Sequence, residues 1–159
     1  MKMTEQEKFM LQALKEAEKA RLEDEVPIGA VVVQNGKVIA RAHNTKNKNG
    51  NALEHAEILV LNKCAKKLGG WRLLDCDLYV TLEPCPMCAG ACINARVRSV
   101  IFGAYDQKAG CCGTLYNLPS DPRFNHRPGV IGGVCEKECA SILTDFFQNL
   151  RKHDKLKGE

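Results

Sequence analysis

"DLYVTLEPCPMCAGACINARVRSVIFG", residues 77–103, decides the fold. "DLYVT" is rich in strand formers, "PMCAGACINA" reads as a short helix, and "VRSVIFG" reads as a second strand. Strand, helix and strand in that order form the unit of a parallel pair joined by a right-handed crossover, so the class is α/β. Cys85 and Cys88 form a Cys-x-x-Cys at the start of the helix, directly after Pro84. A helix N-terminus favours the thiolate whether the pair serves redox chemistry or holds a metal. Position alone leaves both open.

Upstream, "TEQE" at 4–7 is a capping box, and Phe9, Ala13, Leu14 and Ala17 follow at helical spacing, which predicts a helix from about Thr4 to Arg21. "IGAVVV" and "VIARA" flank Asn35-Gly36, a pair that tolerates the positive φ of a tight hairpin, so two antiparallel strands are expected. The polar stretch "HNTKNKNGN" reads as a loop. It leads into a helix with Ile58, Leu61, Ala65 and Leu68 on one face, stopped by Gly69-Gly70.

Downstream, Ala104 to about Pro128 is broken by Gly110, Gly113, Pro119 and Pro122 and reads as a long loop, a feature often tied to function. A last helix places Cys139, Ile142, Leu143, Phe146, Phe147 and Leu150 on one stripe. A short basic tail from about Arg151 reads as a solvated, fraying end.

With 159 residues the chain, 1–159, is expected to be a single domain, and its net charge of +4 is modest. No apolar run approaches bilayer length, and the charged start has no secretory core, so no membrane partner and a cytoplasmic location are expected. Nine cysteines without the spacing of a disulfide scaffold fit a reducing compartment.

A third residue decides between metal and redox pair. His55 opens the second long helix, so two helix N-termini can present one imidazole and two thiolates, a donor set that suits zinc. Three protein ligands leave the fourth tetrahedral position to water, the catalytic pattern. Cys92 lies one turn after Cys88, but its neighbours Ala89, Ala91 and Ile93 favour packing. Glu57, in the first turn after His55, can lean into the same pocket, take a proton from water and return it to a substrate. Glu54 and Glu57 would otherwise only offset the helix dipole.

His55-Ala56-Glu57 with Pro84-Cys85-Pro86-Met87-Cys88 matches the signature of the zinc nucleoside and nucleobase deaminases. The match extends to "VPIGAVVV" at 26–33, "HN" at 43–44, "HAEI" at 55–58 and "TLEPCPMCAGA" at 81–91. "FGAYDQKAG" at 102–110, "NHR" at 125–127 and "DFFQNLR" at 145–151 are the more discriminating segments. Together they resemble the bacterial tRNA-specific adenosine deaminases.

The resemblance implies a three-layer α/β/α fold around a central mixed five-stranded sheet. It also implies hydrolytic deamination of the wobble adenosine of a tRNA anticodon to inosine, by a homodimer with one zinc per subunit. Carried over by motif, His55, Cys85 and Cys88 bind zinc and Glu57 shuttles protons, while Asn44 and the backbone of Ala56 hold the flipped base between Ile28 and Leu82. Asp106 and Lys108, in the loop after the fifth strand, and Arg151 in the last helix meet the anticodon stem-loop. The chain departs from the pattern at Asn51–Glu54, Tyr105 and Cys111-Cys112.

A guanine or other nucleobase deaminase would share the zinc site, and a non-catalytic RNA-binding partner would share the fold. Intact Glu57 argues against the second. The basic tail, the "NHR" segment and the Phe-Phe pair of the last helix favour tRNA over a free base. For Cys64, Cys76, Cys92, Cys111, Cys112, Cys135 and Cys139 the sequence assigns no function, and packing is the expectation for Cys92, Cys135 and Cys139.

Overall fold

A computed structural model describes residues 2–158. Helix α1 (Glu5–Leu22) is followed by the hairpin β1 (Gly29–Gln34) and β2 (Lys37–His43), a one-turn helix α2 (Lys46–Asn49) and α3 (Ala56–Leu68). Then come β3 (Cys76–Leu82), α4 (Pro86–Asn94), β4 (Ser99–Ala104), β5 (Gly129–Ile131) and α5 (Glu136–Lys157). The sheet runs β2-β1-β3-β4-β5, with β1 antiparallel to both neighbours and β3, β4 and β5 mutually parallel. This is the expected mixed five-stranded sheet.

Alternation along the strands builds two cores. Val32, Leu78, Val80, Val100 and Phe102 point to one face and pack with Val60, Leu61 and Cys64 of α3 and with Ala89 and Cys92 of α4. Val31, Val33, Tyr79 and Ile101 point to the other and meet Met10 and Ala13 of α1 and Cys139 of α5. Helices therefore cover both faces, which is why β1 and β3 are apolar almost throughout rather than alternating with polar residues. Gly29 brings α1 close: a Cβ there would lie 2.1 Å from the Ala13 carbonyl oxygen.

Thr4 caps α1 as expected, accepting from the Glu7 N–H at 3.1 Å while its hydroxyl donates to the Glu7 carboxylate. Asn35 and Gly36 have φ of 52° and 73°, the double positive φ of a two-residue hairpin. Gly69, φ 73°, ends α3.

Four features differ from the sequence expectation. The polar stretch after β2 is not all loop, since Lys46–Asn49 makes one helical turn closed by Gly50 at φ 59°. The segment carrying Asp106 and Lys108 follows the fourth strand, not the fifth, because β5 is a three-residue strand beyond it that is too short to leave a pattern. Residues from Arg151 continue α5 to Lys157 rather than fraying. On the expected stripe of α5 only Cys139 is buried, Ile142, Leu143 and Phe146 are half-buried, and Phe147 and Leu150 are exposed. Among the described residues no helix is long and apolar enough to cross a membrane.

Candidate active site

The crevice lies where β3 and β4 end and β1 begins, outside the carboxyl ends of the parallel strands, where open α/β sheets place ligands. Two helices start there. His55 is the extended N-cap residue of α3, and the Asn44 side chain, just past β2, accepts from the Ala56 N–H at 2.7 Å. The Asn44 N–H in turn donates to the Ile28 carbonyl at 3.1 Å, which ties the start of α3 to the entry of β1. Cys85 is the extended N-cap residue of α4, and Pro86 fills the first helical position, where its missing N–H costs nothing.

These starts bring the three expected ligands together. His55 Nδ1 lies 3.6 Å from Cys85 Sγ and 3.5 Å from Cys88 Sγ, and all three donor atoms lie within 4.8 Å of one another. Ordinary zinc–nitrogen and zinc–sulfur bonds at a tetrahedral angle put nitrogen and sulfur about 3.6 Å apart. The donor set and its spacing fit zinc. Among the described residues no other group of three such side chains is as close, and Cys92 belongs to the core instead.

The ionisation of the group follows its geometry. A hydrogen bond from Cys88, with His55 adding to it, outweighs burial and holds Cys85 down at about 4. Interaction with Cys85 together with burial pushes Cys88 far up. The hydrogen bond to Cys85 raises His55. Glu57, 4% exposed in the first turn of α3, is pushed up by burial to about 7, in range for a group that both takes and gives a proton near neutral pH.

Ile28, Asn44, His55, Glu57, Leu82, Cys85 and Asp106 all line one pocket of about 180 Å³. Ala56 stands behind it as donor to Asn44. Lys108 and Arg151 do not reach the pocket; both are exposed, one on the loop after β4 and the other on α5. Asp106 is engaged by its own loop, accepting from the Lys108 and Ala109 N–H groups. His126 of the "NHR" segment is tied inward to the Val97 carbonyl at 2.6 Å, so that ring shapes a loop. A larger groove of about 870 Å³ between α1 and α5 includes none of these site residues.

Sequence reasoning missed Glu25, Val26, Lys46, Asn47, Glu83 and Ala109, which complete the lining. Glu83 carried a signal as a lone acid beside an apolar strand segment, whereas Glu25 ends the acidic run Glu23-Asp24-Glu25 and reads as surface; both are buried.

A model of the MafB19-like deaminases matches residues 4–151. The tRNA-specific adenosine deaminase of Bacillus subtilis (strain 168) is 54% identical over 153 residues, 96% of this chain and 95% of that protein. A chain solved in a study of A-to-I editing by tRNA:A34 deaminases at the wobble position of transfer RNA superposes with a TM-score of 0.82 at 46% identity, covering 86% of this chain and 99% of that one. A guanine deaminase from Nitrosomonas europaea follows at TM-score 0.75 and 25% identity, over 88% of this chain and 83% of that one. Identity of this extent along nearly the whole length places the chain in the tRNA-specific adenosine deaminase family, on a cytidine deaminase-like fold.

Proposed function

We propose that this chain converts the wobble adenosine of a tRNA anticodon to inosine by hydrolysis, with zinc held by His55, Cys85 and Cys88 and protons carried by Glu57. The observation that carries this reading is that the Glu57 carboxylate lines the same small pocket as the imidazole and thiol group. Zinc bound there supplies a Lewis acid that makes a water nucleophilic near neutral pH. Glu57 would take one proton from the attacking water and deliver it to the adenine ring nitrogen beside the amine-bearing carbon as the water oxygen bonds to that carbon; it would then carry the second proton from the new hydroxyl to the amine, whose carbon–nitrogen bond breaks, so that water enters and ammonia leaves.

Asn44 suits the base. Its carbonyl oxygen is occupied by the Ala56 N–H, which leaves its amide N–H groups for an acceptor on the purine. Ile28 and Leu82 offer apolar contact for the ring faces. A cavity of about 180 Å³ is smaller than the roughly 300 Å³ at which drug-sized pockets begin, so it suits one base with sugar and phosphates outside. A wobble base is already single-stranded, and extruding it takes little. The flanking nucleotides then meet the mouth of the pocket, with exposed Lys108 and Arg151 as phosphate partners.

The homodimer, the cytoplasmic location and the reading of residues 1–159 as one domain belong to the same proposal. Support for the last comes from the single five-stranded sheet that both core clusters share.

The test incubates zinc-loaded protein with an unmodified anticodon stem-loop bearing adenosine at the wobble position, with guanine in a parallel reaction. Inosine at that one position with ammonia released in equal amount is expected. Ammonia from guanine with untouched RNA would overturn the substrate and keep the chemistry.

A further inference from the structure

Three carboxylates are buried around the catalytic pocket, and the reaction employs one. Glu25 and Glu83, 1% and 2% exposed, also line it, yet each directs its oxygens to backbone N–H groups of a short segment at the mouth, the one-turn helix α2 for Glu25 and the loop after β4 for Glu83. Glu83 Oε1 accepts from the Asp106 N–H at 3.1 Å, and Oε2 accepts from the Cys112 and Thr114 N–H groups at 3.1 and 3.0 Å. The Thr114 hydroxyl also donates to Oε1. On the other flank Glu25 Oε2 accepts from the Asn47 N–H at 3.1 Å, and the Lys48 N–H donates to Oε1. The held segments contribute Asp106 and Ala109 on one side and Lys46 and Asn47 on the other to the pocket lining.

A loop whose N–H groups point inward needs an acceptor there. A carboxylate offers about four lone-pair sites on one side chain, so Glu83 alone can hold three residues that no sheet or long helix organises. Gly110 shows how closely the loop is drawn in: a Cβ there would lie 2.4 Å from Glu83 Cδ and 2.6 Å from the Asp106 carbonyl oxygen. For stability alone an apolar core serves as well as a buried charge, which points to shape rather than stability as the role.

We infer that Glu83 is a positioning residue for the RNA, with Glu25 as its counterpart: together they hold the loop after β4 and the one-turn helix α2 at the mouth in the form that receives the nucleotides flanking the target base. The inference rests on the RNA reading above. Neither residue hydrogen-bonds to His55, Cys85, Cys88 or Glu57, so the role belongs to binding more than to chemistry.

Glu83→Gln separates the parts. With its oxygen turned toward Cys112 and Thr114 and its amide toward the Thr114 hydroxyl, glutamine loses only the Asp106 bond. In zinc-loaded protein, the dissociation constant for the anticodon stem-loop is read in a Glu57→Ala background, and KM and kcat are read with Glu57 intact. Glu83→Gln is expected to keep its zinc and raise both the dissociation constant and KM about tenfold, with kcat at saturating RNA changed less. Glu83→Ala should do more. Thr114→Val, which removes only a hydroxyl on the loop side, gives a reading of its own, with a rise of about threefold expected.

Unchanged RNA affinity in a zinc-loaded Glu83→Gln protein, or a defect confined to kcat, would overturn the positioning role. If Glu83→Gln does not fold, unchanged affinity in Thr114→Val overturns it instead. A wild type that neither binds nor deaminates the RNA would overturn the functional reading as well; a wild type that does both while the variants match it would overturn this inference alone.

Discussion

Two pairs of cysteines lie in this molecule with opposite fates. Cys64, midway along α3, and Cys76, at the start of β3, place their sulfurs 4.0 Å apart in the core. Burial pushes Cys64 up to about 12 and raises Cys76 too, so both remain thiols and act as small apolar side chains. Cys85 and Cys88 are also close to each other, but one begins a helix, the other follows a turn later, and an imidazole completes the group. There the hydrogen bond from Cys88 overrides burial and Cys85 falls to about 4. The same side chain becomes a donor suited to a metal or a core filler according to where its helix starts and what faces it.

Carboxylates repeat the contrast. Glu57 is pushed up to about 7 by burial. Burial also raises Glu16 on α1, but hydrogen bonds from Lys19 and His43 outweigh it and hold that carboxyl below its ordinary value.

The largest effect that could break the comparison is loss of a ligand. Cys85→Ser and Cys88→Ser should each lose zinc and lower deamination by roughly a thousandfold or more, measured as metal content and inosine formed. Next is thiol reactivity. In metal-free folded protein, iodoacetamide should modify Cys85 at least about a hundredfold faster than Cys64 or Cys76, which become reactive only on unfolding; mass spectrometry of the labelled peptides reads this. Smaller again is Cys64→Ala, which should retain zinc and turnover and lose about 1 kcal/mol of stability in a denaturant titration. The smallest concerns Glu16→Gln, at about 0.5 kcal/mol near pH 7. Because the folded state lowers the Glu16 pKa, its contribution is present above the unfolded value and fades as pH falls through the folded one. Wild type and Glu16→Gln should therefore converge in acid denaturation below about pH 4.

Much of this was legible in the chain. Capping at Thr4, the Asn35-Gly36 turn and the Gly69 stop are local signals, and local geometry obeyed them. That His55, Cys85 and Cys88 stand together with Glu57 beside them was legible because two helix starts, each after irregular or strand structure, open onto one crevice. The rest was hidden where structure depends on distant partners. The turn Lys46–Asn49 is held by Glu25, about twenty residues earlier in the chain, and residues 106–114 fold around Glu83, which lies just past the end of β3 with α4 and β4 in between. No window of sequence contains both halves of either arrangement. The extension of α5 through Lys157 was obscured by its charge, which reads the same in a tail and on a solvated helix.

The most direct test of the central claim is Glu57→Ala, assayed for zinc content and for inosine formation on the anticodon stem-loop. Full zinc occupancy, an unchanged fold and no detectable inosine are predicted, because removing this carboxylate leaves the ligand group whole and takes away the proton carrier. Near-normal turnover in that variant would contradict the account.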